Sequence, residues 1–199
     1  MLKRCFDLLM SGLGLLVLSP LFVLMALWIK CDSKGPVFYR QVRVGRHGKD
    51  FRLFKFRSMR VGSDRKGLIT VGGHDPRITR SGYFIRKYKL DELPQLINVF
   101  IGDMSLVGPR PEVRKYVDLY TPKQRHVLDV RPGITDPASI RYRNENELLG
   151  AADDPERYYV DVILPDKLRL NLDYVARHSF GHDLSIIFQT FAAILKDRP

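Results

Sequence analysis

The dominant pattern along the chain is an unbroken apolar stretch, Leu8 to Ile29, 22 residues without a charged side chain. As a straight helix it would measure about 33 Å, enough to cross a hydrocarbon core of about 30 Å. Thirteen of these residues are Leu, Ile, Val or Phe. Their transfer into lipid contributes roughly −4 to −8 kcal/mol before the penalties of Gly, Ser and Pro. No small-residue cleavage pattern follows, so the segment does not read as a signal peptide, and Trp28-Ile29-Lys30 reads as an interface anchor. Ser19-Pro20 lies at its middle, and Pro20 cannot donate to the carbonyl of Leu16. The halves Leu8–Leu18 and Leu21–Ile29 would be about 16 and 14 Å long, each too short to span. Lys3 and Arg4 on one flank and a dense basic region on the other both mark a cytoplasmic side. A single crossing satisfies only one flank, whereas a helix that bends at Ser19-Pro20 and leaves by the same face satisfies both. Residues 1–30 are therefore expected to form a re-entrant membrane helix–break–helix, and residues 31–199 a cytoplasmic and interfacial domain.

Beyond the apolar segment the period changes. Val37–Val44 and Phe51–Met59 are rich in β-branched and aromatic residues around Gly45-Arg46-His47-Gly48, predicting a β-hairpin. Residues 62–76, with four glycines and Pro76, predict a loop able to move over a site. Helices are predicted at about 79–89 and 91–101, then at Pro111–Leu119 and Pro122–Val130. The last of these opens with a capping box, Thr121-Pro122-Lys123-Gln124. An irregular stretch runs from Arg131 through Pro155, and helices at about 165–178 and 183–197 close the chain. In the final helix Leu184, Ile187, Phe188, Phe191, Ile194 and Leu195 form one stripe, read as core packing, with Asp183 as N-cap. Leu93, Leu96, Ile97, Phe100 and Ile101 make the 91–101 helix unusually apolar, suited either to a core or to a headgroup layer. The expected fold class is α+β, mainly helical, with a short β-hairpin and several amphipathic interface helices.

Charge sharpens this picture. The net charge is +11, and residues 30–90 hold 17 Lys/Arg against 4 Asp/Glu. Such a region calls for an anionic partner: nucleic acid, anionic lipid or a phosphorylated substrate. Two cysteines, Cys5 and Cys31, are too few for a disulfide framework and fit a reducing compartment.

The candidate chemistry centres on Lys89-Leu90-Asp91-Glu92-Leu93-Pro94-Gln95-Leu96. Asp91 can act as an N-cap, with Pro94 in the first turn. Carboxylates at a helix start among Arg86, Lys87, Lys89 and Arg110 suit chemistry on a phosphate that arrives with a metal ion. On spacing alone a capped helix with a solvated charge cluster is the simpler reading. The chain carries no phosphate-binding G-x-x-x-x-G-K-[ST], no H-E-x-x-H, no G-x-S-x-G, no Cys/His metal spacing and no D-x-D, and its five histidines are scattered.

Several longer motifs occur in order: Ser19-Pro20; Phe54-Lys55-Phe56-Arg57-Ser58-Met59; Asp75-Pro76-Arg77-Ile78-Thr79-Arg80; Leu90-Asp91-Glu92-Leu93-Pro94-Gln95; Asn98-Val99; Gly102 through Glu112; and Arg131-Pro132-Gly133-Ile134-Thr135. Over nearly its whole length the chain resembles the bacterial sugar transferase family, the monotopic phosphoglycosyl transferases, in their minimal catalytic-core form. That resemblance implies transfer of a sugar 1-phosphate from a UDP-sugar to undecaprenyl phosphate with release of UMP, beginning bacterial glycan assembly at the cytoplasmic face of the inner membrane. It implies Asp91 as the nucleophile forming a covalent phosphosugar, Mg²⁺ held by Asp91 and the pyrophosphate, and inner-membrane lipids as surroundings. Glu92 orients the metal or assists proton movement; the two roles stay open. Many members continue Arg-Pro-Gly-Ile-Thr with Gly-Trp-Ala-Gln, whereas here Asp136-Pro137-Ala138-Ser139 follows, closer to small members acting on N-acetylated amino sugars.

Phosphate or nucleotide contacts are expected from Arg110, whose backbone is fixed between two prolines, and from Arg86, one helical turn before Asp91. Lys55 and Arg57 alternate with Phe54 and Phe56 on a strand, and serve either substrate phosphate or anionic lipid. Arg131 and Arg141 are further candidates. A homodimer stays open. The competing class is a membrane-anchored nucleic-acid-binding or scaffold protein, but no nucleic-acid motif is present and the basic residues adjoin the membrane segment, so no nucleic-acid partner is expected. A lipid-linked pyrophosphate hydrolase, with water as acceptor, is the other competitor.

Overall fold

The computed structural model describes residues 1–63 and 75–196. The loop expected over 62–76 therefore lies almost wholly outside the described residues.

The N-terminal helix α1 (Leu2–Asp32) runs through Pro20 as one continuous helix, where the sequence predicts a break at Ser19-Pro20. The local reason is a side chain. Ser19 Oγ donates to the Leu16 carbonyl at 2.7 Å, filling the acceptor that Pro20 leaves empty. Both ends of α1 rest on the same body. Near its start, the Arg4 guanidinium donates to the carbonyls of Val99 (2.6 Å) and Phe100 (3.0 Å). The buried Asp7 carboxylate accepts from the Leu106 amide at 3.1 Å. Toward its end, Leu21, Phe22, Met25 and Ile29 pack with Phe56 and Ile85. The opposite side of α1, including Leu9, Leu13, Leu16, Val23, Leu24 and Leu27, is exposed.

The hairpin forms as predicted. Strands β1 (Phe38–Val44) and β2 (Asp50–Phe56) pair antiparallel in a register from Phe38 opposite Phe56 to Val44 opposite Asp50. At the turn, His47 and Gly48 take left-handed φ of 56° and 73°. Helix α2 (Arg80–Lys87) follows, with the Thr79 hydroxyl capping it by accepting from the Gly82 amide at 3.0 Å. The single helix expected from Asp91 is two pieces. Leu90–Glu92 form a 3₁₀ turn, and helix α3 (Gln95–Ile101) starts only after Pro94, so Asp91 caps nothing. Lys89, with a left-handed φ of 53°, redirects the chain between α2 and that turn.

A parallel pair joins β3 (Ser105–Val107), in a stretch for which the sequence predicts no element, with β4 (Gly133–Thr135), in the stretch predicted as irregular. Helix α4 (Arg114–Val117) is shorter than expected. The Thr121–Gln124 capping box is present, with reciprocal bonds of 2.8 and 3.3 Å, but it opens a 3₁₀ turn, Gln124–Asp129, instead of an α-helix. Short helices α5 (Pro137–Arg141), α6 (Glu145–Gly150) and α7 (Pro155–Tyr158) occupy the rest of the stretch predicted as irregular. A π-turn at Tyr159–Ile163 leads into α8 (Leu164–Arg177). The largest core, around Val117, Leu149, Ile163 and Leu168, lies between α4, α6 and α8.

Helix α9 (Phe180–Lys196) corrects two expectations. Asp183 is not its cap but a buried carboxylate paired with Lys3 at 2.5 Å. The stripe read as core is split: Ile187 packs against the core around Ile186 and Tyr174, and Leu184 is half-buried, whereas Phe188, Phe191, Ile194 and Leu195 are exposed.

Two glycines fix the corner that carries Arg110. A Cβ on Gly133 would stand 2.1 Å from the Gly108 nitrogen, so the two backbones touch only because neither residue has a side chain. Gly133→Ala is expected to destabilise the protein by about 3 kcal/mol through overpacking, read as a lowered thermal unfolding midpoint of the detergent-solubilised protein.

Candidate active site

The sequence from Lys89 to Glu92 builds the floor of a cleft of about 650 Å³. Leu90 packs against the core that holds Met25, Ile29, Phe56 and Ile85. With that anchor buried, the 3₁₀ turn presents both Asp91 and Glu92 to the cleft. Lys55 reaches them from β2, Arg86 from α2, and Arg110 from the Pro109–Pro111 corner. The corner is rigid: the Arg110 amide donates to the buried Asp136 carboxylate at 2.8 Å, and the Gly133 amide donates to the Pro109 carbonyl at 3.1 Å.

The two adjacent carboxylates have different surroundings. Glu92 Oε1 accepts from Lys55 Nζ at 3.0 Å and also pairs directly with the Arg110 guanidinium. Burial alone would raise its carboxyl, but Arg110 and Lys55 outweigh it and hold Glu92 well below the ordinary carboxylate range. The same contact raises the Arg110 pKa. Asp91 is 7% exposed, and among the described residues its carboxylate makes no hydrogen bond or ion pair. Burial pushes its carboxyl up, with the neighbouring Glu92 charge adding to the effect, against the pull of Lys55, Arg86 and Arg110. Burial also lowers the Lys89 ammonium, whose Nζ donates to the Arg143 carbonyl at 3.3 Å.

Arg60 and Arg86 line the same cleft and have no carboxylate partner among the described residues. A dry carboxylate beside cations not already neutralised is an arrangement able to attack an anionic electrophile. The cations reduce repulsion of the incoming phosphates, and desolvation leaves the oxygen uncovered.

Of the residues singled out from sequence, Asp91, Glu92, Lys55, Arg86 and Arg110 are brought together. Arg57 lines the cleft, but its buried guanidinium is spent on the end of α1, donating to the carbonyls of Ser33 (2.8 Å), Ile29 (3.3 Å) and Lys34. Arg131 and Arg141 lie outside the cleft. Arg131 Nε donates to the Gly102 carbonyl at 3.0 Å, and Arg141 Nε pairs with Asp166 at 3.2 Å. Ser19 and Pro20 sit on the exposed side of α1, away from the carboxylates.

Sequence reasoning missed the other wall of the cleft. Glu112 accepts there from Arg43 at 2.9 Å, from the Val113 amide at 2.8 Å and from the Tyr159 hydroxyl. Lys167 pairs nearby with Glu145 at 2.7 Å. Two signals were available: Glu112 completes the Pro-Arg-Pro motif, and Arg43 shares a strand face with Tyr39, the residue opposite Lys55.

No three His, Cys, Asp or Glu side chains cluster as a preformed metal cage among the described residues. Mg²⁺ does not require one, since it is commonly held by one or two carboxylates together with substrate phosphates and water. The uncommitted Asp91 carboxylate fits that donor set.

Comparison with known proteins gives a consistent result. The sequence model of the family described as "Bacterial sugar transferase" matches residues 1–197. The chain is 38% identical, over 98% of its length, to the UDP-N-acetylgalactosamine-undecaprenyl-phosphate N-acetylgalactosaminephosphotransferase of Aeromonas hydrophila, and covers 44% of that protein. It is 37% identical, over 96% of its length, to the UDP-glucose:undecaprenyl-phosphate glucose-1-phosphate transferase of Escherichia coli (strain K12), covering 39% of it. It is 39% identical, over 98% of its length, to the "Uncharacterized sugar transferase EpsL" of Bacillus subtilis (strain 168), covering 87% of that chain. The chain thus spans less than half of the first two relatives and most of the third. With the family match running almost end to end, the chain belongs to the bacterial sugar transferase family.

Proposed function

We propose that this chain is a membrane-bound phosphoglycosyl transferase that moves a sugar 1-phosphate from a UDP-sugar to undecaprenyl phosphate. The donor sugar is an N-acetylated amino sugar. The observation that carries the reading is the pairing of unlike carboxylates: Glu92 neutralised by Lys55 and Arg110, and Asp91 buried beside it without a direct partner.

An Asp91 carboxylate oxygen attacks the β-phosphorus of the UDP-sugar. The bond from that phosphorus to the bridging oxygen breaks, and UMP leaves with the electron pair. A phosphate oxygen of undecaprenyl phosphate then attacks the same phosphorus. The acyl–phosphate bond breaks, Asp91 is released as carboxylate, and the product is undecaprenyl diphosphate bearing the sugar. Both substrates are anions, and splitting the transfer in two keeps them from meeting in one transition state. Arg110 and Lys55 fix Glu92 beside the nucleophile, and Arg86 and Arg60 supply positive charge for the phosphate oxygens. When bound, Mg²⁺ held by Asp91 and the pyrophosphate supplies charge neutralisation and orients the leaving group.

The acceptor is a lipid whose charged head sits at the membrane surface. We infer that α1 enters the membrane from the cytoplasmic side and returns to it, which the packing of both its ends on one body favours. An anchored nucleic-acid-binding or scaffold protein is not favoured, because the relatives whose reaction is stated act on undecaprenyl phosphate.

Asp91→Asn is expected to abolish UMP release and covalent labelling by a UDP-sugar carrying a radiolabelled β-phosphate; retained labelling would identify another nucleophile. The first step needs Asp91 ionised, and burial raises its pKa. Its rate against pH should therefore fall on the acid side at a higher pH than an ordinary aspartate would give, a limb that kcat/KM profiles resolve. Cys5 and Cys31 are both exposed and flank the apolar segment. An impermeant thiol reagent should reach both from the same side of a sealed vesicle, and access from opposite sides would establish a crossing.

A further inference from the structure

The C-terminal end of α1 joins directly the two segments that carry the reacting groups. Three short pieces of chain meet at one junction: the end of α1, the residues just after β2, and the start of α2. From the residue that follows β2, the Arg57 guanidinium closes over the terminal carbonyls of α1, donating to Ile29 (3.3 Å), Ser33 (2.8 Å) and Lys34. Gly35 makes room for it, since its φ is +133° and a Cβ there would stand 2.3 Å from Arg57 Nη1. From α1, Asp32 Oδ2 accepts from the Ser81 amide (3.0 Å) and hydroxyl (2.8 Å) at the start of α2. The third side closes between β2 and α2. The Thr79 amide donates to the Ser58 carbonyl at 3.0 Å, and Gly82 packs so closely that a Cβ would lie 1.9 Å from that oxygen. Arg57, Ser58, Thr79, Ser81 and Gly82 are all buried.

Each arm leaving the junction ends at the carboxylate pair. Two residues back along β2 from Arg57 is Lys55, about 7 Å away along the strand, whose ammonium holds Glu92 at 3.0 Å. The α2 arm carries Arg86 and passes through the left-handed Lys89 directly into Asp91. A shift of the α1 end relative to the body therefore cannot occur without moving Lys55 and Asp91 together.

We propose that Arg57 and Asp32 are positioning residues that set the height of Asp91 from the depth at which α1 sits in the membrane, so that the junction matters for an acceptor held in the bilayer and not for one dissolved in water. This inference rests on the proposed transfer to a lipid-borne phosphate. Neither side chain touches the reacting atoms; each acts through the backbone it holds.

The test uses the full chain in bilayer nanodiscs and two acceptors with the same phosphate head, undecaprenyl phosphate and a short prenyl phosphate that stays in water. For Arg57→Ala and Asp32→Ala, transfer to undecaprenyl phosphate should fall about tenfold, while transfer to the short acceptor and the KM for the UDP-sugar stay within about twofold. Equal losses on both acceptors, or no loss on either, would overturn the proposal. Hydrogen exchange supplies a readout that does not require turnover. Amides across residues 88–92 should exchange faster in both variants than in the wild type in nanodiscs, and unchanged exchange there would also overturn it. A wild type that makes no lipid product, with variants that still show the exchange change, would reject the proposed function and leave the junction standing.

Discussion

The Glu92 carboxylate, gripped by Lys55 and Arg110, is the interaction on which the site depends. It ties together three parts of the chain far apart in sequence: the β-hairpin, the 3₁₀ turn after α2, and the proline-flanked corner. A carboxylate taken out of water is costly unless it is paired, and removing one partner leaves an uncompensated charge. Here the pairing has a second effect. Glu92 takes the direct contacts of Lys55 and Arg110 while Asp91 is buried without a direct partner among the described residues, and the environment drives the two neighbouring carboxyls in opposite directions. Adjacent acids of the same chemical type thereby become unequal, the condition under which one can hold structure while the other reacts.

Around this centre the polarity of the molecule is sorted by direction. The cleft collects Lys55, Arg60, Arg86, Lys89 and Arg110. Many of the exposed apolar side chains instead belong to α1, to Phe84 and Tyr88 at the end of α2, to Phe100 and Ile101 at the end of α3, and to the outer stripe of α9, with single ones such as Leu119, Leu148 and Val162 elsewhere. Extended exposed apolar surfaces of this kind mark protein or membrane interaction sites. The Trp28 and Phe84 rings meet at a tilt with centroids 5.3 Å apart, as do Phe84 and Tyr88 at 4.6 Å. This aromatic group lies between the end of α1 and the segment leading to Asp91, and Trp and Tyr are the residues that favour a lipid–water boundary.

Much of this was legible in the sequence where the signal is local. β-Branched and aromatic content with the turn residues placed the hairpin, its second strand ending three residues earlier than predicted, and the apolar run marked α1. The dipeptide Asp91-Glu92 and the Pro109–Pro111 corner, singled out from sequence, line one cleft. The misreadings have a common cause, in that they depended on contacts distant in sequence. Asp91 looks like a helix cap until Lys89 turns left-handed and Leu90 finds its core, postponing the helix to Gln95. Asp183 looks like a cap until Lys3, 180 residues away, arrives beside it. Arg57 resembles a phosphate ligand because its strand neighbour Lys55 faces the cleft, and only the fold brings the end of α1 to its guanidinium. The β3–β4 pair escaped because three-residue strands held by a glycine–glycine contact carry no periodic pattern.

The bond from Ser19 to Leu16 bears on how α1 behaves in hydrocarbon. A proline in a helix normally strands a carbonyl lone pair, and in a medium without water that oxygen penalises any distortion that uncovers it. With a hydroxyl from the preceding residue attached, the lone pair stays covered through modest changes of angle. The proline at the midpoint of α1 therefore costs the helix less in a water-free medium than its missing N–H alone implies, and the helix carries on to the end that Arg57 and Asp32 hold.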